Sequence, residues 1–308
     1  MNSKKENLRI IVAGATGWLG RETLEVLSSL NQLGKVETEI LAISSKPRDL
    51  KLSSGKIVKT ETFEDSDPKQ ETDGFISLAF LTRDKVSSYG NENYVAKNLE
   101  LISSACRLIV KTKPKWIVLV SSGAIFQSKS SELEVDVLTN PYGFCKRLEE
   151  LMIAEVAREI GANLVIGRLW GASGAYMPIN RAYALSDLIC QALDNPEIKI
   201  NSAHQVFRRY CDAGEFMKVL IGLAKRGDQV VLDSGGPLIE IMDLAVEIAT
   251  NVINVNILRE LDPMAVADDY YPRSSDFESF AKELGVSLSS IHEQIQRTFL
   301  GHKAQSNP

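Results

Sequence analysis

The 308-residue chain has only four cysteines, three histidines and ten prolines, and each scarcity removes a class of protein. Cys106, Cys145, Cys190 and Cys211 are scattered and form no CxxC pair, which excludes a disulfide scaffold and a zinc-finger site and predicts reduced thiols. His204, His292 and His302 make no HxxxH or HExxH spacing, so no metal is expected. There is no uncharged apolar run of the roughly 18 residues that a membrane span needs. Met1–Arg9 is polar and lacks the apolar core of a signal peptide, so the expected location is cytoplasmic. The formal charge of -5 has no basic cluster behind it, which argues against a nucleic-acid partner, because phosphate neutralisation requires grouped Lys and Arg.

With 44% hydrophobic residues the chain can bury a full core. Short β-branched runs (Leu8–Ala13, Glu39–Ile43, Phe75–Ala79, Trp116–Val120, Asn163–Arg168) alternate with segments of helical period near Arg21–Leu30 and Pro141–Ile160. That alternation predicts βαβ units: an α/β, doubly wound parallel sheet of the Rossmann type. Residues 1–168 are expected to form the cofactor domain and 169–308 mainly a smaller C-terminal substrate lobe, with a segment near 206–223 returning to the main sheet. Further helices are expected near Ala182–Leu193 and Met242–Ile253.

Between the first strand and first helix lies Gly14-Ala15-Thr16-Gly17-Trp18-Leu19-Gly20. In this context the glycine spacing has a mechanism. Gly14 permits a tight turn, Gly17 lets backbone approach a pyrophosphate, and Gly20 lets the helix pack close to the strand, with the helix N-terminus facing the anion. Thr16, Trp18 and Leu19 are carried on the same loop, and Ala79 ends a later strand beside it. After the second strand, at Ser44-Ser45-Lys46-Pro47-Arg48, no carboxylate is present for an adenosine ribose hydroxyl. Ser44, Ser45, Lys46 and Arg48 suit a 2′-phosphate, so NADP is the expected cofactor, with NAD the alternative and a solvated basic loop the plain reading.

Tyr142 and Lys146 stand at positions i and i+4 of a helix, where the ammonium would lower the phenol's pKa for proton transfer. Ser121 and Ser122 follow the strand ending at Val120, where side chains enter the ligand crevice of a doubly wound sheet. Taken in this order, glycine loop, strand-end serine and YxxxK resemble the extended short-chain dehydrogenase/reductase family over nearly the whole chain, and within it the NAD(P)-dependent epimerase/dehydratase group acting on nucleotide sugars.

The resemblance implies Ser122 as the catalytic hydroxyl, with Ser121 the alternative. It implies Tyr142 as acid/base, Lys146 on the nicotinamide ribose, and Asn98 as the helix asparagine of the site. Leu169, in Arg168-Leu169-Trp170-Gly171, would lie along the nicotinamide. Arg208, in Phe207-Arg208-Arg209-Tyr210, would bind the substrate pyrophosphate, its plain reading being a surface ion pair. Tyr176, Met177, Arg181, His204, Tyr270 and Arg273 are open between lining the substrate lobe and local packing. The group's dehydratases carry an Asp-Glu pair after the catalytic hydroxyl, where Gly123 and Ala124 stand here; Phe126 and Gln127 replace the usual Tyr and Gly. The implied activity is hydride transfer on a small-molecule substrate, a nucleotide-linked sugar, with reduction of a 4-keto-6-deoxy sugar first. A 4-epimerase and a non-catalytic NADP-sensing Rossmann protein are the alternatives. A homodimer through the helices bearing Asn98 and YxxxK is also implied, with Leu101, Ile102, Leu148 and Met152 either in its interface or in the core.

Overall fold

A computed structural model describes residues 6–32, 36–66, 68, 71–126, 133 and 136–306. Gln127 and residues 1–5 lie outside these described residues. In chain order the strands are β1 (Glu6–Ala13), β2 (Val36–Ile43), β3 (Asp49–Lys51), β4 (Ile57–Glu61), β5 (Gly74–Ser77), β6 (Trp116–Ser122), β7 (Asn163–Leu169), β8 (Gly171–Ser173), β9 (Glu197–Ile200), β10 (Val206–Asp212), β11 (Val230–Asp233), β12 (Leu238–Glu240), β13 (Asn256–Arg259) and β14 (Asp268–Tyr270). The helices are α1 (Trp18–Gln32), α2 (Val86–Tyr89), α3 (Asn91–Thr112), α4 (Pro141–Ile160), α5 (Ala184–Asp194), α6 (Ala213–Arg226), α7 (Ile241–Asn251), α8 (Phe277–Glu283) and α9 (Ile291–Ser306).

Eight strands form the main sheet in the order β11-β7-β6-β5-β1-β2-β4-β3, parallel throughout except for β3 against β4. The continuous apolar runs of β1 and β6 are explained by cover on both faces. Ile10, Val12, Val118 and Val120 point to one side, into a core with Leu24 and Leu27 of α1 and Phe216 and Leu220 of α6. Their neighbours Ile11, Ala13, Ile117 and Leu119 point to the other side, onto Ile102 and Ile109 of α3 and Ile153 of α4. The chain order reverses between β5 and β1, and this switch point opens the crevice at the strands' C-terminal ends.

The segment near 206–223, expected to return to the main sheet, divides between the two layers. β10 does not join the main sheet; it lies in a second sheet with β8, β12 and β14. Its successor α6 does return, because Phe216, Met217 and Leu220 complete the apolar face over β1 and β6. β11 then adds the last main-sheet strand beside β7. The main-sheet body is therefore built from two stretches of chain, the second bringing α6 and β11. The lobe has its own core, in which Leu185, Ile189, Ile198, Tyr210, Leu244, Ile248 and Ile295 pack together.

The two bodies meet at a buried carboxyl. Glu22 of α1 accepts a hydrogen bond from the Tyr176 backbone at 3.1 Å, and burial pushes its pKa up to about 7 against the N–H bond that lowers it. The folded state therefore holds a proton on Glu22 that the unfolded chain releases near its ordinary value of 4.5. This raised pKa contributes stability that is full below pH 4.5 and is lost as pH rises toward 7. Denaturant unfolding of Glu22→Gln should lack that fall between pH 5 and 7; an unchanged pH dependence in the variant would count against the assignment.

Candidate active site

Sequence spacing predicts three tasks for the glycines, and three different local geometries are present. Gly14 has φ +89°, and a Cβ there would lie 2.5 Å from the Leu78 carbonyl carbon. A Cβ on Gly20 would lie 2.2 Å from the Gly14 oxygen, so helix and loop touch backbone to backbone. Gly17 is exposed and a Cβ on it would meet only the Gly14 oxygen, at 3.4 Å. Its backbone thus borders open space at the N-terminus of α1, flanked by half-buried Thr16, Trp18 and Leu19. Bare backbone at a helix N-terminus is the arrangement that suits an anion. Ala79 and Leu169 are partly buried where β5 and β7 end, packed against the two faces of the core.

The basic loop divides. Ser44 is buried and its hydroxyl contacts the Lys46 carbonyl at 2.7 Å and Thr60 Oγ1 at 2.8 Å, so it serves the turn and not a phosphate. Ser45, Lys46 and Arg48 are exposed, and neither cation forms an ion pair with another described residue.

The candidate catalytic groups converge at the C-terminal end of β6. Ser122 caps the short 3-10 turn Gly123–Ile125, accepting a bond from the Ala124 N–H at 3.2 Å, and its hydroxyl also interacts with the phenols of Tyr142 and Tyr270. Ser121, one residue back, points to the opposite side, with its hydroxyl beside Glu150, as the period-two alternation of a strand dictates. Phe80 ties the cofactor side to this cluster. Its ring meets Tyr142 edge-on at 5.9 Å, and Lys146 Nζ lies 3.9 Å from its centroid.

The lysine does not act on the tyrosine as spacing alone predicts. Lys146 Nζ donates to the Val120 carbonyl at 2.8 Å and to Glu149 Oε2 at 2.9 Å, in an ion pair almost wholly out of water. Burial raises the Tyr142 pKa above its ordinary value, Ser122 pulls it down, and the Glu149 charge pushes it up further. The lowering that spacing predicts is not found, because the phenol is buried and because a carboxylate has taken up the cation's charge.

Asn98 is fully buried, with Oδ1 accepting from the Leu81 N–H at 2.9 Å and Nδ2 donating to the Tyr94 carbonyl at 3.1 Å. It is no surface amide; it fixes the loop after β5. Arg208 is ion-paired to Asp268 at 2.6 Å and lies with Cζ 5.5 Å from the Tyr270 ring centroid, one ring away from Ser122. Of the lobe residues left open, the structure brings Tyr270 to the site. Tyr176 instead hydrogen-bonds Glu25 beneath Arg21, and Met177 is in the lobe core.

Sequence reasoning missed several participants. Asn140 caps α4, accepting from the Gly143 N–H at 2.9 Å and donating to the Ala124 carbonyl at 2.7 Å, which bolts the YxxxK helix to the serine turn. Asn followed by Pro141 at N1 is a readable cap signal. Trp170 stacks on Phe126 at 5.8 Å, tilts against Tyr270 at 4.9 Å and donates its indole N–H to Asp233 at 2.7 Å. A Cβ on Gly123 would lie 2.2 Å from this indole, so the aspartate that dehydratases of the resembled group carry there has no room. No local signal marks Trp170 or Asp233, because they meet only through the pairing of β7 with β11, strands far apart in the chain.

A glycine loop leading into a helix N-terminus at the switch point of a parallel sheet defines the class of fold, a doubly wound Rossmann type. The NAD dependent epimerase/dehydratase family profile matches residues 10–232, and the chain belongs to that family. No curated protein matches it by sequence. Among solved structures it is similar to a UDP-N-acetylglucosamine 4-epimerase from Methanobrevibacter ruminantium M1 in complex with UDP-N-acetylmuramic acid (TM-score 0.72, 19% identity, covering 97% of this chain and 99% of that one). It is also similar to MoeE5 in complex with UDP-glucose and NAD (0.72, 16%, 97% and 100%) and to the Bordetella bronchiseptica enzyme WbmF in complex with NADH (0.72, 18%, 99% and 95%).

Replacing Asn140 by Ala removes a helix cap, which costs about 1 kcal/mol, together with the bond to Ala124. The expected result is a small drop in melting temperature and a larger, at least tenfold, drop in kcat as Tyr142 loses its fixed position. Equal, proportionate losses of stability and activity would contradict that positioning.

Proposed function

We propose that the protein transfers hydride to and from a carbon of a nucleotide-linked sugar, with reduction of a 4-keto-6-deoxy sugar as the first assignment. The observation that carries the reading is the convergence of Ser122, at the end of β6, with Tyr142, whose ionised form it favours, and with Lys146 one helical turn on, held to the β6 carbonyl of Val120. The neighbours in complex with UDP-sugars support the substrate class.

The Gly14–Gly20 loop and the α1 N-terminus would hold a dinucleotide pyrophosphate, and Lys146 and Tyr142 its nicotinamide ribose. When bound, the nicotinamide supplies the hydride chemistry. Ser122 donates a hydrogen bond to the substrate oxygen as negative charge grows on it, and Tyr142 delivers the proton that makes it an alcohol. Exposed Lys46 and Arg48, with Ser45 between them and the strand, favour a 2′-phosphate, hence NADP, whereas MoeE5 and WbmF are in complex with NAD and NADH. A 4-epimerase is the second reading, favoured by the epimerase among the similar structures. A homodimer would use the outer faces of α3 and α4, where Val110 and Leu151 are exposed; Ile102 is core and Met152 packs against the same core.

Two measurements decide between these readings. Tyr142→Phe should bind cofactor as the wild type does and lose about 10²–10⁴ in kcat; undiminished turnover would remove Tyr142 from the chemistry. Fluorescence titration should show tighter binding of NADPH than NADH, with the preference lost in Lys46→Glu; a cofactor that copurifies and is regenerated each cycle would put the epimerase first.

A further inference from the structure

Ser122, Tyr142 and Lys146 carry the roles assigned above, and Glu149 has none. Its side chain is 1% exposed, three residues beyond Lys146 on α4, with Oε2 2.9 Å from the Lys146 ammonium and Oε1 accepting from Ser77 Oγ of β5 at 3.3 Å. A carboxylate taken out of water costs several kcal/mol even when paired, and an apolar residue facing α3 and β5 would avoid that cost. Glu149 therefore has no rationale as a packing residue. What it touches is the Lys146 ammonium, one helical turn from Tyr142.

We infer that Glu149 is a positioning residue acting through Lys146: it neutralises the ammonium, holds it on the Val120 carbonyl, and so keeps Tyr142 a neutral phenol that donates a proton. The inference rests on the proposed role of Tyr142 in proton transfer.

The other groups facing this pair do not supply the same effect. Glu149 is met by Cys145, Lys146 and Glu150 on its own helix, by Ser77 from β5 and by the Cys106 thiol of α3; burial first, and then the Glu149 charge, push both thiols up. Tyr142 faces the Ser122 hydroxyl from β6 and the Tyr94, Tyr183 and Tyr270 phenols from α3, the segment before α5, and β14. It also faces Arg83 and Asp84, adjacent residues of opposite charge that act on it in opposite directions. Burial holds Tyr142 in its protonated form first, and the Glu149 charge acts in the same direction. A phenol held protonated at neutral pH is the form needed when a carbonyl oxygen becomes a hydroxyl, the direction proposed above.

The test is a phenolate absorbance titration of the wild type and Glu149→Gln, each subtracted from its Tyr142→Phe counterpart so that Tyr142 alone is read. Removing the carboxylate should move the Tyr142 midpoint to lower pH by about one unit or more. The pH profile of kcat should move with it, with KM unchanged, and Glu149→Asp should restore most of the shift. A midpoint unmoved, or moved to higher pH, in a folded variant would overturn the inference. Should Glu149→Gln fail to fold, the wild type alone decides: a Tyr142 midpoint at or below about 10, the ordinary phenol value, overturns it. The titration needs no turnover. An active Tyr142→Phe enzyme would therefore sink the proton-transfer reading, whereas an unmoved midpoint would sink the role of Glu149.

Discussion

The site depends on how closely the start of α4 is docked against the end of β6. Three contacts hold it there, and all three involve backbone. The Asn140 amide reaches the Ala124 carbonyl, Gly143 presents bare backbone to that same carbonyl, and the Lys146 ammonium reaches the Val120 carbonyl. A Cβ at 143 would lie 2.1 Å from the Ala124 oxygen, which no side-chain adjustment could relieve. Because both ends of the contact are main chain, Ser122 and Tyr142 are brought together by elements that cannot repack independently. This is the rigidity that the proposed proton transfer requires.

Electrostatics then sets what the docked groups can do. An isolated Lys one turn from a Tyr makes a base, because the cation favours the phenolate. A buried carboxylate on the far side of that Lys cancels the effect, and burial of the phenol adds to it. At these depths a full charge acts across several ångströms with little screening, so one Glu outweighs the partly cancelling Arg83 and Asp84.

The parts of the fold that were legible in sequence are those that local patterns write down. The apolar runs of β1 and β6, the glycine spacing, the Tyr-Lys turn and the strand-end serine are all contiguous, and each appears where its pattern puts it. The short strands β3 and β4 were not readable, since Asp49–Lys51 and Ile57–Glu61 alternate exposed and buried residues over too few positions to stand out from a loop. The aromatic wall of Phe126, Trp170 and Tyr270 joins residues far apart in the chain, and no periodicity records such a meeting. Ser44 looked available for a phosphate because sequence cannot show that Thr60, from a neighbouring strand, has already engaged it.

The late arrival of β11 has a consequence for how the molecule is made. Synthesis from the N-terminus completes β7 at Leu169, but its pairing partner Val230–Asp233 emerges only after the chain has passed through α5, β9, β10 and α6. Through that interval β7 is an open edge, a row of unpaired amides and carbonyls beside Val165 and Ile166, both of them core residues. The same interval leaves the β1–β6 face without Phe216 and Leu220. A nascent chain stalled or truncated within the lobe would thus present both a sticky strand and an uncovered apolar face, which makes this stretch of translation the molecule's window of exposure to misassembly.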